Sequence, residues 1–334
     1  MKKTRIATFE YLRVCAILLV VICHWMQGLG NLLGFVCGSV GNCLFFLMSG
    51  WLLGEHWRKN GCESYSGKFL WHRISRLYPA FCLFVLIYLA SLLVRDIKLP
   101  GELGRIALNF LMLSWFAKLP GAGHLWFVTG IMILYITLVI VSWLGAQLRG
   151  HGLVVVVGAI IVCIFAQVMM SMLGIRQGYF VTLVAVSVLM FLYGDIIGGF
   201  VLEAYRRKGK ILLIVLPLVC VGCVCAVMLY DGESMSKSLT SAYWLSMLAA
   251  FSLLLITLIV VDKDKICGTV ITFLSSISFE IYLVHFPLCM QSPLFLREWI
   301  GNTIVYSAVF ATCTLLGAYL LNRLSCRIRN MFWK

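Results

Sequence analysis

Acidic charge is what this sequence has least of, with 13 Asp and Glu against 27 Lys and Arg in 334 residues. So little charge, with 62% hydrophobic residues and a mean hydropathy of +1.00, excludes an ordinary soluble domain and demands several membrane spans. Proline is rare too, at six. No Pro-, Gly- or Ser-rich linker separates the apolar runs, so one membrane domain over residues 1–334 is expected. There is no Gly-x-Ser-x-Gly elbow and no His, Cys and acid cluster at metal-ligand spacing. A serine hydrolase and a resident metal are therefore not expected. The 14 cysteines lie mostly in apolar runs, as Cys220, Cys223 and Cys225 do, and read as small buried hydrophobes. The net charge of +14 is scattered over short connectors, which fits loops facing an anionic lipid leaflet and excludes a nucleic-acid surface.

Lipid offers the backbone no hydrogen bonds, so the spans should be helices and the fold an all-α polytopic bundle. Eleven apolar segments stand out, at 9–28, 34–54, 78–94, 103–117, 125–148, 153–173, 180–200, 211–230, 242–261, 270–290 and 303–321. The N-terminus (Lys2, Lys3, Arg5) and the loop with Arg58, Lys59, Lys68, Arg73 and Arg76 should face the cytoplasm, because Lys and Arg set orientation. If all eleven segments crossed, the clusters Arg206–Lys210 and Arg323–Arg329 would lie outside. Demoting 103–117 to an interfacial or re-entrant piece returns both to the inside. That segment is short, carries Arg105 and Asn109, and is followed by Leu119-Pro120-Gly121. The expectation is ten spans in a bacterial inner membrane with both termini cytoplasmic. The basic start followed by an apolar run resembles a signal peptide, but Glu10 and Arg13 interrupt it and the first span should be retained.

That first span contains Glu10, Arg13 and His24, although charge inside a membrane helix is costly. Glu10 is close enough to pair with Arg13. Eleven steps of ~100° return His24 to within ~20° of the Arg13 face, ~16 Å deeper. An Arg snorkelling to the interface and a His satisfied by a carbonyl fit the same spacing. Under the ten-span topology His24, His124 and His285 fall at one level in the outer half. Ser278, Tyr282 and His285 form one helical stripe, with Glu280 off it. Trp126 follows His124 at the start of its span. Arg73 and Arg76, three apart at a cytoplasmic membrane boundary, are placed either to grip phosphates or simply to obey the positive-inside rule. Ser49-Gly50 near the end of the second span reads as a substrate contact or a close helix contact. Asp195, near the inner end of its span, needs a pairing partner or a site role.

Together these residues resemble a known pattern. Arg13, ten residues and His24, with Glu10 before them, are similar to the start of the acyltransferase-3 family of integral-membrane acyltransferases. Leu44-Phe45-Phe46-Leu47-Met48-Ser49-Gly50 resembles the family's Phe-Phe-x-x-Ser-Gly segment, and Arg73-Ile74-Ser75-Arg76 its paired arginines. His124-Leu125-Trp126-Phe127 and Ile281-Tyr282-Leu283-Val284-His285-Phe286-Pro287 follow in kind and order. Asn42, where Asp is common, and Trp51, where Phe or Tyr is usual, depart from the pattern.

The resemblance implies transfer of an acyl group, usually acetyl, from cytoplasmic acyl-coenzyme A as co-substrate to a hydroxyl of a cell-envelope saccharide or glycolipid, with no metal. The appended SGNH-type domain of some relatives is not expected here. His24 would be the general base, assisted by Arg13 and Glu10. Arg73, Arg76 and Arg13 would hold the donor's phosphates. His285 with Tyr282 would orient the acceptor or stabilise the oxyanion, and His124, Trp126, Ser49 and Ser278 would contact substrate. Two other classes share the composition: a flippase for a lipid-linked sugar, and a membrane sensor that kept the scaffold without the chemistry. A flippase is expected to show two matching halves, and no partner to the Arg13–His24 pattern appears in the second half. The oligomeric state is not set by the sequence.

Overall fold

A computed structural model describes residues 7–30, 34–65, 67–97, 102–172, 179–230, 235–261, 267–290 and 292–332. These residues contain twelve α-helices and no strand: α1 (Ala7–Gly28), α2 (Gly34–Asn60), α3 (Gly67–Val94), α4 (Glu102–Phe110), α5 (Trp126–Gly150), α6 (Gly152–Met172), α7 (Tyr179–Lys208), α8 (Lys210–Tyr230), α9 (Met235–Val260), α10 (Thr269–Ser276), α11 (Ser278–Cys289) and α12 (Thr303–Phe332). Among them, seven helices are long and apolar enough to cross a membrane, against the ten spans expected; counting α10 and α11, bent by 67°, as one broken span brings the number to eight. α6 and α8 carry the shorter apolar stretches 152–166 and 211–223. The protein is a polytopic helical membrane protein.

The segment 103–117 holds no helix long enough to cross. α4 has nine residues, about 14 Å at ~1.5 Å per residue, against the ~30 Å of a hydrocarbon core. The chain then turns through Met112 at φ 60°. Asn109 Nδ2 donates to the carbonyls of Arg105 and Ala117 (2.9 and 2.6 Å), and the Thr129 hydroxyl donates to the Met112 carbonyl at 2.9 Å. These three bonds hold the loop's backbone through its own neighbourhood rather than through an uninterrupted helix, while Asn109 Oδ1 and Ser114 Oγ have no hydrogen-bond partner among the described residues.

The chain divides into two compact units. The first comprises 1–19, 36–66 and 136–272. Here α2 lies hard against α7. A Cβ on Gly50 would run into the Ser187 carbonyl, and one on Gly54 into the Phe191 carbonyl, so small residues let the two backbones touch. The Ser187 hydroxyl donates to the Phe46 carbonyl across the contact. Trp51, which departs from the family pattern, is accommodated by absent side chains opposite: a Cβ on Gly198 would lie 2.8 Å from its ring. Asp195 takes the pairing role. Arg149 binds it with two N–H groups at 3.0 and 2.9 Å, and Arg58 lies at 3.5 Å. Both arginines also donate to α7 carbonyls, at Phe191 (2.8 Å) and Leu192 (2.6 Å).

The second unit comprises 20–35, 67–135 and 273–334. Its centre is α11, packed on α12 and α3. The ninth predicted span, expected as one helix, breaks at Ile277. The break has no Pro or Gly. Instead Ser276 and Ser278 donate to the carbonyls of Phe273 (2.7 Å) and Ser275 (3.0 Å), competing with the helical ladder at that point. Asn322 of α12 donates to the buried Glu280 in the first turn of α11 at 2.9 Å. Cys289, Tyr306 and Phe310 form a core with Trp25 packed against it, and the Trp25 indole donates to Ser307 at 3.2 Å. Gly28 is required there, since a Cβ would meet the Cys289 carbonyl.

Candidate functional site

The second unit brings together the three histidines that the sequence placed at one depth. His24 Nδ1 and His285 Nε2 are 2.9 Å apart, and their ring centroids 5.1 Å. His124 lies 6.0 Å from His285 between centroids. Three separate stretches of chain deliver them: the second half of α1, the 3-10 turn Gly123–Leu125, and α11.

Why α11 collects them follows from Pro287. A proline has no N–H, so the carbonyl four residues earlier, Leu283, has no helical donor. His124 Nε2 fills the vacancy at 3.2 Å. One turn along, His285 Nδ1 lies 3.0 Å from the Ile281 carbonyl. The Tyr282 hydroxyl donates to the His124 carbonyl, which fixes the backbone of the 3-10 turn against the same helix.

Aromatic rings wall the cluster. Phe286 is edge-on to His24 (4.7 Å between centroids) and stacked on His124 (4.4 Å). Phe84 of α3 meets His124 edge-on at 5.9 Å, and Tyr282 lies 5.3 Å from it. Access separates the three imidazoles. His285 is 0% and His124 3% exposed, whereas His24 is only half-buried. His124 Nδ1 has no hydrogen-bond partner among the described residues.

The paired arginines stand elsewhere on α3. The Arg73 guanidinium lies over Phe69 at 5.1 Å and Tyr135 at 5.7 Å. Those rings lie within cation–π distance of it, and no protein acceptor takes its N–H groups among the described residues. Such a fork is ready for an anion. Arg76 is exposed. Eleven helical steps along α3 separate Arg73 from Phe84, ~16 Å of helix.

The remaining expected residues fall as follows. Arg13 and Glu10 pair at 3.7 Å on the half of α1 that belongs to the first unit. Ser49 is also in the first unit and is half-buried; the close contact belongs to its neighbour Gly50. Ser278 donates its proton at the helix break rather than into the histidine cluster. Trp126 packs edge-on to Trp115 at 5.8 Å. The sequence reading missed Phe286, Phe84 and the two α11 carbonyls. Of these the Leu283 carbonyl had a visible signal, the proline four residues after it, and the Ile281 carbonyl had none.

Among the described residues no group of His, Cys, Asp and Glu could hold a metal ion. Comparison with family models gave one description, an acyltransferase domain of the acyltransferase-3 family, matching residues 6–323. Neither the curated proteins nor the solved structures gave a match. With the match running over nearly the whole chain, the protein belongs to the acyltransferase-3 family of membrane acyltransferases.

Proposed function

We propose that this protein transfers an acyl group, in the first place acetyl, from cytoplasmic acyl-coenzyme A to a hydroxyl of a cell-envelope saccharide or lipid-linked sugar. It would act in a bacterial inner membrane with both termini in the cytoplasm, the orientation favoured by its loop charge. The observation that carries the reading is the histidine cluster, in which His24 is half-buried and His124 and His285 are buried beside it.

The thioester donor would supply an activated carbonyl and a thiolate leaving group. His24 takes the proton of the acceptor hydroxyl as its oxygen bonds to the acyl carbon, and returns that proton to the departing sulfur. The sums balance: alcohol and thioester become ester and thiol, and His24 ends as it began. Arg73, whose N–H groups have no protein acceptor among the described residues, and Arg76 fit the donor's phosphates. The ~16 Å of α3 between Arg73 and the wall of the histidine cluster is comparable with a pantetheine arm. His124 Nδ1, a buried acceptor atom in need of a donor, fits a second hydroxyl of the acceptor. Roles for Arg13, Glu10 and Ser49 rest on the family resemblance.

The test is acyl-coenzyme A turnover by the purified protein in lipid, together with mass spectrometry of envelope glycans from cells with and without it. Donor-dependent turnover and a missing acyl mass are expected. Purified protein that binds coenzyme A without turnover, in cells whose glycans are unchanged, would leave a sensor as the better account.

A further inference from the structure

We propose that His285 is a positioning residue, whose Nε2 lone pair fixes the tautomer of His24 and leaves the His24 Nε2 lone pair free toward the substrate. The inference rests on the reading of His24 as general base. It comes from counting protons along the chain of hydrogen bonds.

A neutral imidazole has one N–H and one lone pair. The Ile281 carbonyl can only accept, so His285 Nδ1, 3.0 Å away, carries the hydrogen. His285 Nε2 is then a lone pair. Across 2.9 Å it faces His24 Nδ1, and two lone pairs at that distance would repel, so His24 Nδ1 donates. The only basic nitrogen left on His24 is Nε2. The backbone of α11 thereby determines which nitrogen of a different helix can take a proton.

The same count removes His285 from direct contact with substrate. It is 0% exposed and both its nitrogens are spent, one on Ile281 and one on His24. A role in binding the acceptor or the oxyanion, which the sequence allowed, has no atom to use. The arrangement also differs from a base held by a carboxylate. No ion pair among the described residues involves any of the three histidines. The titratable groups facing His285 are His24, His124 at 6.0 Å and Tyr282 at 6.1 Å, none of them acidic near neutral pH. A neutral imidazole orients the base without introducing a charge that this apolar cluster would have to bury.

The experiment compares His285→Gln with His285→Phe in full-length protein in lipid. Gln keeps an acceptor oxygen near the place of Nε2, and Phe keeps the ring without the acceptor. Nitrogen NMR of histidine-labelled protein reads the tautomer directly, and acetyl transfer and coenzyme A binding are measured on the same samples. Wild-type His24 is expected as the Nδ1–H tautomer. The Gln variant should retain that tautomer and stay within about 10-fold of the wild-type rate. The Phe variant should lose ~10²–10⁴-fold with donor affinity unchanged, the range for a misdirected acid–base group. An Nε2–H tautomer in wild-type His24, or a Phe variant at the wild-type rate, would overturn the proposal. If the Phe variant fails to fold, the wild-type spectrum and the Gln variant still decide. If instead His24→Ala retains turnover, the functional reading has failed, and the tautomer result stands apart from it.

Discussion

The imidazole of His124 occupies the hydrogen-bonding position that Pro287 leaves empty, with its Nε2 lying 3.2 Å from the carbonyl of Leu283. A helix defect in α11 therefore orients a side chain delivered from another part of the chain. Defects of this kind are kept where geometry matters more than local stability.

Pro287→Ala restores an amide that can bond the Leu283 carbonyl within the helix and so compete with His124. The variant should melt at the same temperature as wild type or above it, since Ala suits a helix interior better than Pro. Transfer should nevertheless fall by up to ~10-fold, about the worth of one neutral hydrogen bond. Paired melting and turnover measurements check this. A lower melting temperature with unchanged turnover would contradict it.

Two glycines give separable predictions. At Gly28 an added Cβ meets the Cys289 carbonyl, four residues beyond His24 and four beyond His285. Gly28→Ala should cost ~1–3 kcal/mol of stability, as overpacking does, and should also slow transfer by shifting the two histidines. Gly50→Ala should cost a similar ~1–3 kcal/mol through its clash with the Ser187 carbonyl. Ser49→Ala should leave the melting temperature unchanged. A Ser49→Ala loss as large as that of Gly50→Ala would show that the serine, not the glycine, makes the helix contact.

How much of this could be read from the chain alone varies by residue. The apolar runs gave the helices, and the charges around 103–117 were enough to remove that segment from the spans. His24, His124 and His285 were placed together because topology fixes depth, and depth is read from where the basic loops fall. What topology cannot supply is hydrogen-bond direction. That His124 faces Leu283 depends on the carbonyl Pro287 leaves vacant, and that His285 turns Nε2 to His24 depends on its Nδ1 bonding back to Ile281 in its own helix. The break at Ile277 was hidden because its cause is two serine hydroxyls, of Ser276 and Ser278, in a run that reads as uninterrupted helix. Ser278 looked like part of the site by its stripe with Tyr282 and His285, and the break instead claims its proton. Phe286 stood in the motif beside His285, but its residue type did not mark it as a wall of the cluster, since an aromatic residue in a membrane helix is ordinary.

The Arg73 prediction concerns the donor. Arg73→Lys keeps the charge beside Phe69 and Tyr135 but loses the planar fork of N–H donors that no acceptor takes among the described residues. Coenzyme A affinity should weaken by ~10-fold or more, as for a lost charged hydrogen bond. The double variant Arg73→Gln, Arg76→Gln should weaken it further, with the larger effect at low salt because screening already weakens the wild-type contact at high salt. Donor titrations at two salt concentrations check both. Unchanged affinity in folded protein would return these arginines to the ordinary positive-inside rule.

The most direct measurement is acyl transfer by purified His24→Ala protein, with coenzyme A binding measured on the same sample. The account predicts a loss of ~10²–10⁴-fold in rate with donor affinity nearly unchanged. His24→Gln should fail almost as badly, because an amide of similar reach cannot take the proton. Ordinary turnover by folded His24→Ala protein would contradict the account.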